Sequence, residues 1–132
     1  AVEPPFTLRL GGAMSEMPPL SPPIHAALLQ HRLTREVLAN LTTVAQGVLL
    51  RDSAAGGRRV LVANTHLFFH PNANHVRLLQ LHVLLTELKR RAEIAEVEGG
   101  APVSVILLGD LNARKGTNAR EPVPQAAYRL VR

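Results

Sequence analysis

The chain has 132 residues and a formal net charge of +5, with 46% hydrophobic but only 3% aromatic residues, which suits one globular domain with a core of Leu, Val and Ala. It has no cysteine, which excludes a disulfide scaffold and a thiolate zinc site, and no apolar run approaches the ~20 residues of a membrane-spanning helix. The basic charge favours a polyanionic partner such as nucleic acid, although a solvated basic surface explains it equally well.

The first part of the chain predicts little regular structure. Residues 1–23 contain six prolines, with Gly11 and Gly12 between them, a composition typical of irregular or disordered chain. We therefore divide the sequence into this Pro-rich segment and a domain over residues 24–132. Between Ile24 and about Leu41, Leu and Val recur at helical spacing, which predicts one helix or two short ones.

A β-hairpin is predicted next. The stretches Thr43 to Arg51 and Arg58 to His66 flank a loop of small residues at 54–57 that can reverse the chain. A long helix follows from about Asn72 to Val97, because its apolar residues recur every three or four positions. We expect this helix to cover the sheet, with Asn72 or Asn74 as its cap, Gly99 and Gly100 at its end, and Glu87 and Arg91 one turn apart on its exposed side.

Two apolar runs end in polar residues in the same manner. They are VLVANTHL over residues 60–67 and SVILLGDLNA over residues 104–113, and both predict strands buried on both faces. Asn64 and His66 stand two apart, as do Asp110 and Asn112, so each pair shares one side if the chain stays extended. Gly109 permits a tight turn or a close backbone approach.

These residue types point to metal-assisted phosphodiester chemistry. Carboxylate and amide oxygens are ligands for Mg²⁺, and an imidazole can donate a hydrogen bond to a phosphate oxygen. Either motif alone is also explained by an ordinary turn with a satisfied histidine. Their joint occurrence on either side of a helix favours the chemical interpretation.

In this order of elements the chain resembles the endonuclease/exonuclease/phosphatase superfamily, and within it the branch of 2′,5′-phosphodiesterase, nocturnin and the poly(A) deadenylases. The resemblance covers about residues 25–130. It rests on GDLN, on ANTHLFFHP over residues 63–71, and on VRLLQ over residues 76–80, which carries the R-L-x-Q pattern. Abasic-site endonucleases and sphingomyelinases share GD-x-N, but the H-P turn and the R-L-x-Q helix favour the first branch. The resemblance implies an α/β fold that forms a portion of a two-sheet, DNase I-like sandwich, with a mixed sheet and covering helices.

The resemblance also implies roles for individual residues. Asp110 and Asn112 match the pair that binds the metal and positions the nucleophile, with Asp110 as proton acceptor, and His66 matches the histidine near the scissile phosphate. The implied mechanism is in-line attack by water with Mg²⁺, or alternatively Mn²⁺, and no covalent intermediate. Asn64, Arg114 and Lys115 are the candidate substrate-binding residues, and the substrate is RNA or an oligoadenylate.

Two parts of the family pattern are missing. None of the glutamates ends an apolar strand-like run, as the family's metal-binding glutamate does, and no histidine follows His82 to form the D-H pair. We therefore expect the chain, which also lacks an initiator Met, to be an internal portion or a truncated product of such a domain. Two functions stay open for it: a 3′-exoribonuclease or 2′,5′-phosphodiesterase in the parent protein, or a non-catalytic remnant that binds RNA or a partner.

Other polar groups support narrower expectations. The remaining basic candidates for RNA contact are Arg58 and Arg59 at the hairpin and the 89–91 cluster on the long helix. Three histidines, His70, His75 and His82, lack the i, i+4 spacing of a zinc motif, and we do not interpret them as one. Tyr128 is expected to pack on the sheet. The sequence leaves the oligomeric state undetermined and does not decide between cytoplasm and mitochondrion.

Overall fold

The computed structural model describes residues 4–12, 30–54 and 56–113. It contains a four-stranded sheet of order β1-β2-β3-β4, in which the first two neighbouring pairs are antiparallel and the last is parallel. The predicted α/β class with a mixed sheet is therefore confirmed. The elements in chain order are β1 (Phe6–Arg9), α1 (Arg32–Asn40), β2 (Val44–Arg51), β3 (Arg59–His66), α2 (Asn74–Gly99) and β4 (Val103–Asp110).

The strand β1 corrects the prediction of an irregular first segment. Phe6–Arg9 pairs with β2, the guanidinium carbon of Arg91 lies 3.9 Å from the centroid of the Phe6 ring, and Leu10 is fully buried. The prolines at 4 and 5 precede the strand, and β1 lies at the edge of the sheet, where proline costs no ladder hydrogen bond. Residues 13–23 and 24–29 lie outside the described residues, so the proposed domain boundary stays a prediction.

The hairpin and the first helix follow the sequence pattern. Register runs from Ala45 opposite Thr65 to Arg51 opposite Arg59, and the loop is closed by the Asp52 N–H, which donates to the Arg58 carbonyl at 2.8 Å. Of the helix predicted between residues 24 and 41, the described portion is helical over Arg32–Asn40. Both predictions are confirmed where the structure describes the chain.

The long helix α2 covers one face of the sheet, as predicted. It buries Leu81, Leu84, Leu88, Ala92 and Ala95 in one cluster with residues of β2, β3 and β4. Gly100, in the left-handed conformation with φ 63°, ends the helix and donates its N–H to the Glu96 carbonyl at 2.8 Å. Within the described ranges, neither helix is long and apolar enough to cross a membrane.

The predicted asparagine cap of α2 is wrong. The N-cap residue is Ala73, which has no side-chain cap. Asn74 already lies in the first turn, where its side-chain oxygen accepts a hydrogen bond from Arg77. The Asn74 side chain, which the sequence pattern predicted as a helix cap, therefore binds Arg77 instead.

The second face of the sheet is open among the described residues. Along β3, buried Leu61, Ala63 and Thr65 alternate with residues on the other side that are half-buried or exposed. On β4, Ile106 and Leu108 are 44% and 52% exposed. The prediction of strands buried on both faces is thus wrong for this part of the chain, because α2 covers only one of the two faces.

The Glu87 carboxylate accepts hydrogen bonds from both Arg90 and Arg91, each at 2.8 Å. The bond from Arg90 is the main reason why the pKa of Glu87 is lowered from its ordinary value of 4.5. We expect Glu87→Gln to lower the free energy of unfolding at pH 7 by roughly 0.5–1 kcal/mol. A lowered pKa stabilises the fold above the unfolded-state pKa, and this stabilisation is lost as the pH falls.

The measurement is urea denaturation at pH 7 and at about pH 3, where the difference between wild type and variant should shrink. Glu93→Gln is the matched control, because exposed Glu93 makes one distant contact, 3.8 Å, with Lys89. An equal loss from Glu87→Gln at both pH values would contradict the prediction.

Candidate active site at the strand ends

The parallel register of β3 and β4 brings the two polar strand ends together. His66 is paired with Asp110, so both side chains lie on the same side of the sheet. His66 Nε2 lies 3.9 Å from Asp110 Oδ2, and the two side chains are 70% and 67% exposed. This distance exceeds a hydrogen bond and leaves the two polar atoms available to solvent or to a bound oxygen.

Asn64 lies on the same side as His66, as the two-residue spacing predicts. It is exposed, and its register partner on β4 is Leu108. Thr65 lies on the opposite side, where it is buried and donates its hydroxyl to the Val44 carbonyl at 3.0 Å. The hydrogen bond of Thr65 therefore joins β3 to β2 rather than supporting the loop after the strand.

The turn after β4 changes the orientation predicted for Asn112. Asn112 has a positive φ of 47°, and its N–H donates to Asp110 Oδ1 at 2.8 Å, which closes an Asx turn. The extended geometry therefore ends at Asp110, and the condition under which Asp110 and Asn112 would share a strand face is not met. Since Oδ1 is engaged in the turn, Oδ2 is the Asp110 oxygen that lies toward His66.

Leu67 ties the two strand ends to each other through its backbone. Its N–H donates to the Asp110 carbonyl at 2.9 Å, and its carbonyl accepts the side-chain amide of Asn112, Nδ2, at 2.8 Å. The Leu67 side chain is fully buried in the core. The side-chain nitrogen of Asn112 is thereby engaged, whereas its side-chain oxygen, Oδ1, makes no hydrogen bond within the described part of the chain.

Two buried polar residues of α2 hold the loop after β3. Arg77 donates to the carbonyls of Phe68 and His70 at 3.1 and 2.6 Å, and Gln80 accepts the Phe68 N–H at 3.0 Å. Arg77 and Gln80 are 1% and 0% exposed. Sequence reasoning matched them to the R-L-x-Q pattern without finding these partners; the signal was a polar pair three residues apart within an apolar helix.

The polar atoms at the strand ends include oxygen atoms of the kind that Mg²⁺ prefers. Asp110 supplies a carboxylate and Asn112 an amide oxygen, and Mg²⁺ is commonly bound by one or two carboxylates with substrate phosphates and water. Within the described part of the chain, no group of three or more His, Cys, Asp and Glu could hold a metal ion. His70, one of the three histidines that we do not interpret as a zinc motif, uses its Nδ1 to accept the Asn72 N–H at 3.3 Å.

Most of the basic residues proposed for RNA contact make contacts elsewhere or lie outside the described residues, whereas Arg58 is exposed at the hairpin end of the sheet. Lys89, Arg90 and Arg91 pair with glutamates of their own helix. Arg59 donates to the Ala101 carbonyl at the far end of β3, roughly 23 Å from His66 by the strand rise. The predictions for Arg114, Lys115 and Tyr128 fall outside the described residues.

The backbone conformation and the close packing at position 109, next to the end of β4, require a glycine. Its φ is 120°, and a Cβ at this position would overlap the Thr65 carbonyl. We expect Gly109→Ala to lower the free energy of unfolding by about 3 kcal/mol or more, because backbone strain and steric overlap add. Gly56→Ala is the matched control, since Gly56 has φ 68° but no atom within 4 Å of an added Cβ. Equal losses in urea denaturation would show that the close approach to Thr65 does not matter.

Comparison with known proteins relates the chain to nucleic-acid hydrolases. It is 31% identical over 101 residues to "2′,5′-phosphodiesterase 12" of Mus musculus and of Homo sapiens, which covers 74% of this chain and 16% of each relative. It is 33% identical over 81 residues to "Probable CCR4-Not complex 3′-5′-exoribonuclease subunit Ccr4" of Encephalitozoon cuniculi, which covers 61% of this chain and 15% of the relative. No protein-family model matches. The chain thus spans about one sixth of the length of these relatives, and it is related in sequence to proteins named as a phosphodiesterase and an exoribonuclease.

Proposed function

We propose that the chain belongs to the endonuclease/exonuclease/phosphatase family and forms part of a longer, Mg²⁺-dependent phosphodiesterase. Its substrate would be the 3′ end of an RNA or a 2′,5′-linked oligoadenylate. The observation that carries the proposal is the register of β3 and β4, which sets His66 beside Asp110 on one side of the sheet. The names of the relatives support the same class of reaction.

In this proposal the two exposed side chains have complementary tasks. Asp110 Oδ2 accepts a proton from the attacking water, while its Oδ1 is held by the Asn112 N–H. His66 Nε2 donates a hydrogen bond to a phosphoryl oxygen, and because both side chains are exposed, each can meet an oxygen atom of the substrate or of water. Asn64, exposed on the same side, would contact the substrate.

Asp110 and Asn112 Oδ1 are the described atoms that would hold Mg²⁺, or Mn²⁺ in its place. When bound, the cation would stabilise negative charge on the phosphoryl oxygens. A glutamate ligand and a second histidine would come from the rest of the longer protein, because the sequence contains neither in the expected context. Because the Leu67 carbonyl holds the Asn112 side chain, this chain by itself would orient one of the two metal ligands.

The open face of the sheet fits the same proposal. Val62, Ile106 and Leu108 lie on this face, opposite the side that α2 covers. We infer that a second sheet of the longer protein packs here and completes the two-layer sandwich. Apolar side chains that are half exposed in this chain would then become core residues.

The alternative function is a non-catalytic fragment that binds RNA or a partner. It is favoured by one observation: in the described part of the chain, no third acidic or histidine donor joins Asp110 and His66. The two functions differ in what the longer protein does with its substrate, since binding needs no complete metal site whereas hydrolysis does.

Hydrolysis of 3′,5′- and 2′,5′-linked oligoadenylates, followed as Mg²⁺-dependent release of AMP, tests the proposed function. The isolated chain should show little or no activity, and the longer protein should hydrolyse at least one of the two linkages. In the longer protein, Asp110→Asn should reduce kcat by roughly 10²–10⁴-fold, because the amide cannot accept the proton.

Asp52→Asn is the matched control, because Asp52 also closes a turn, with its Oδ1 accepting the Ala54 N–H at 2.9 Å, but at the other end of the sheet. Its kcat should stay at the wild-type value. Activity of the longer protein that survives Asp110→Asn would reject the role of Asp110. Binding of oligoadenylate without hydrolysis, by both the chain and the longer protein, would support the alternative function.

Ile106→Ser tests the second sheet. In the isolated chain the variant should change the free energy of unfolding by less than about 0.5 kcal/mol, because the side chain is already 44% exposed. In the longer protein it should cost about 2–4 kcal/mol, since a buried isoleucine is replaced by a hydroxyl group. Val97→Ser, on the exposed side of α2 at 85% exposure, should be neutral in both. An equal effect of Ile106→Ser in the two proteins would contradict a covering sheet.

A further inference from the structure

A single peptide group connects the buried part of α2 with the candidate active site. The peptide between Leu67 and Phe68 donates its N–H to Gln80 Oε1 at 3.0 Å and accepts Asn112 Nδ2 on its carbonyl at 2.8 Å. Three amide groups are therefore hydrogen bonded in series, from a residue that is 0% exposed to one in the turn after β4. Such a series is directional, because each amide orients the next.

We propose that Gln80 is a positioning residue for the active site, acting through the Leu67–Phe68 peptide on Asn112. Its amide oxygen determines the plane of this peptide, and the peptide carbonyl determines which way the Asn112 side chain turns. Asn112 in turn holds Asp110 Oδ1 through its own N–H. The consequence for catalysis rests on the proposed function, whereas the positioning itself does not.

The orientation of the Gln80 amide is determined by its partner. If the amide were turned over, Nε2 would face the Phe68 N–H, and two donors would oppose each other. In the observed orientation Nε2 is buried and has no hydrogen-bond partner among the described residues. An apolar side chain would avoid the cost of that buried group, so the amide is not explained by the stability of the helix alone.

Arg77 stabilises the same segment from the other side of Phe68. Its guanidinium donates to the carbonyls of Phe68, His70 and Pro71, at 3.1, 2.6 and 3.3 Å, and to the Asn74 side chain. The loop between β3 and α2 is therefore held at several backbone carbonyls, none of which belongs to the Leu67–Phe68 peptide, whereas the N–H of that peptide is held by Gln80. A change at Gln80 should for this reason be transmitted to Asn112 rather than absorbed by the loop.

The test compares three variants of the full chain by NMR, observing the Asn112 side-chain amide and the exchange rate of the Phe68 N–H. Gln80→Met removes the acceptor at similar volume, so it should shift the Asn112 signals and speed Phe68 exchange about tenfold. Gln80→Glu keeps an oxygen acceptor and should restore both to near the wild-type values. Val83→Ala, a truncation at another buried position of α2, should lower stability and leave the Asn112 signals in place.

Asn112 signals that do not move in Gln80→Met, or that move as much in Val83→Ala, would overturn the proposal. The reciprocal variant Asn112→Ala covers the case in which Gln80→Met does not fold, because Asn112 lies in a partly exposed turn. It should shift the Gln80 side-chain amide, with Asn72→Ala, at an exposed loop position, as its control. No shift at Gln80 would equally overturn the proposal.

Activity separates this proposal from the proposed function. If the longer protein hydrolyses oligoadenylate, Gln80→Met should lower kcat about tenfold with KM unchanged, and Gln80→Glu should recover most of it. A wild-type kcat in Gln80→Met would overturn the catalytic consequence. If the longer protein hydrolyses nothing but the Asn112 signals move as expected, the positioning by Gln80 stands and the proposed function fails.

Discussion

The parallel pairing of β3 with β4 is the interaction on which the rest of the structure depends. Because both strands run in the same direction, their C-terminal ends meet at one edge of the sheet, and the register sets His66 opposite Asp110. Two parallel strands need a crossover connection, and α2 supplies it by packing its apolar side on the same sheet. The burial of α2 is therefore also what keeps the two polar ends side by side.

The exposed side chains of the site do not hold one another in place. His66 and Asp110 are 3.9 Å apart, so the backbone beneath them determines their positions. Leu67 bonds to Asp110 and to Asn112, and Gln80 and Arg77 bond to the residue that follows Leu67. A charged substrate can enter a site without a large rearrangement if the polar side chains are accessible to water and the backbone that carries them is rigid.

The two faces of the sheet differ in what covers them. On one face, Leu61 and Ala63 are buried in the cluster that α2 forms with the sheet, whereas the other face carries Asn64 and His66 at its end and apolar residues such as Ile106 along its length. A layer that covered this second face would lie next to the polar strand ends. Packing of such a layer on the sheet would remove apolar surface from water, and it would also limit the access of water to Asp110.

The sequence by itself determined the class of elements and the residues at the strand ends. Periodicity predicted the hairpin and α2, and the change from apolar to polar residues marked His66 and Asp110, because these signals are local in the chain. It did not reveal β1, whose evidence is its pairing with β2, or the direction of Asn112, which depends on a turn with positive φ. Only the tertiary structure decided that Gln80 and Asn112 share one peptide group and that no described residue covers the second face of the sheet. Both facts arise from contacts between residues far apart in the chain, and local propensity carries no information about such contacts.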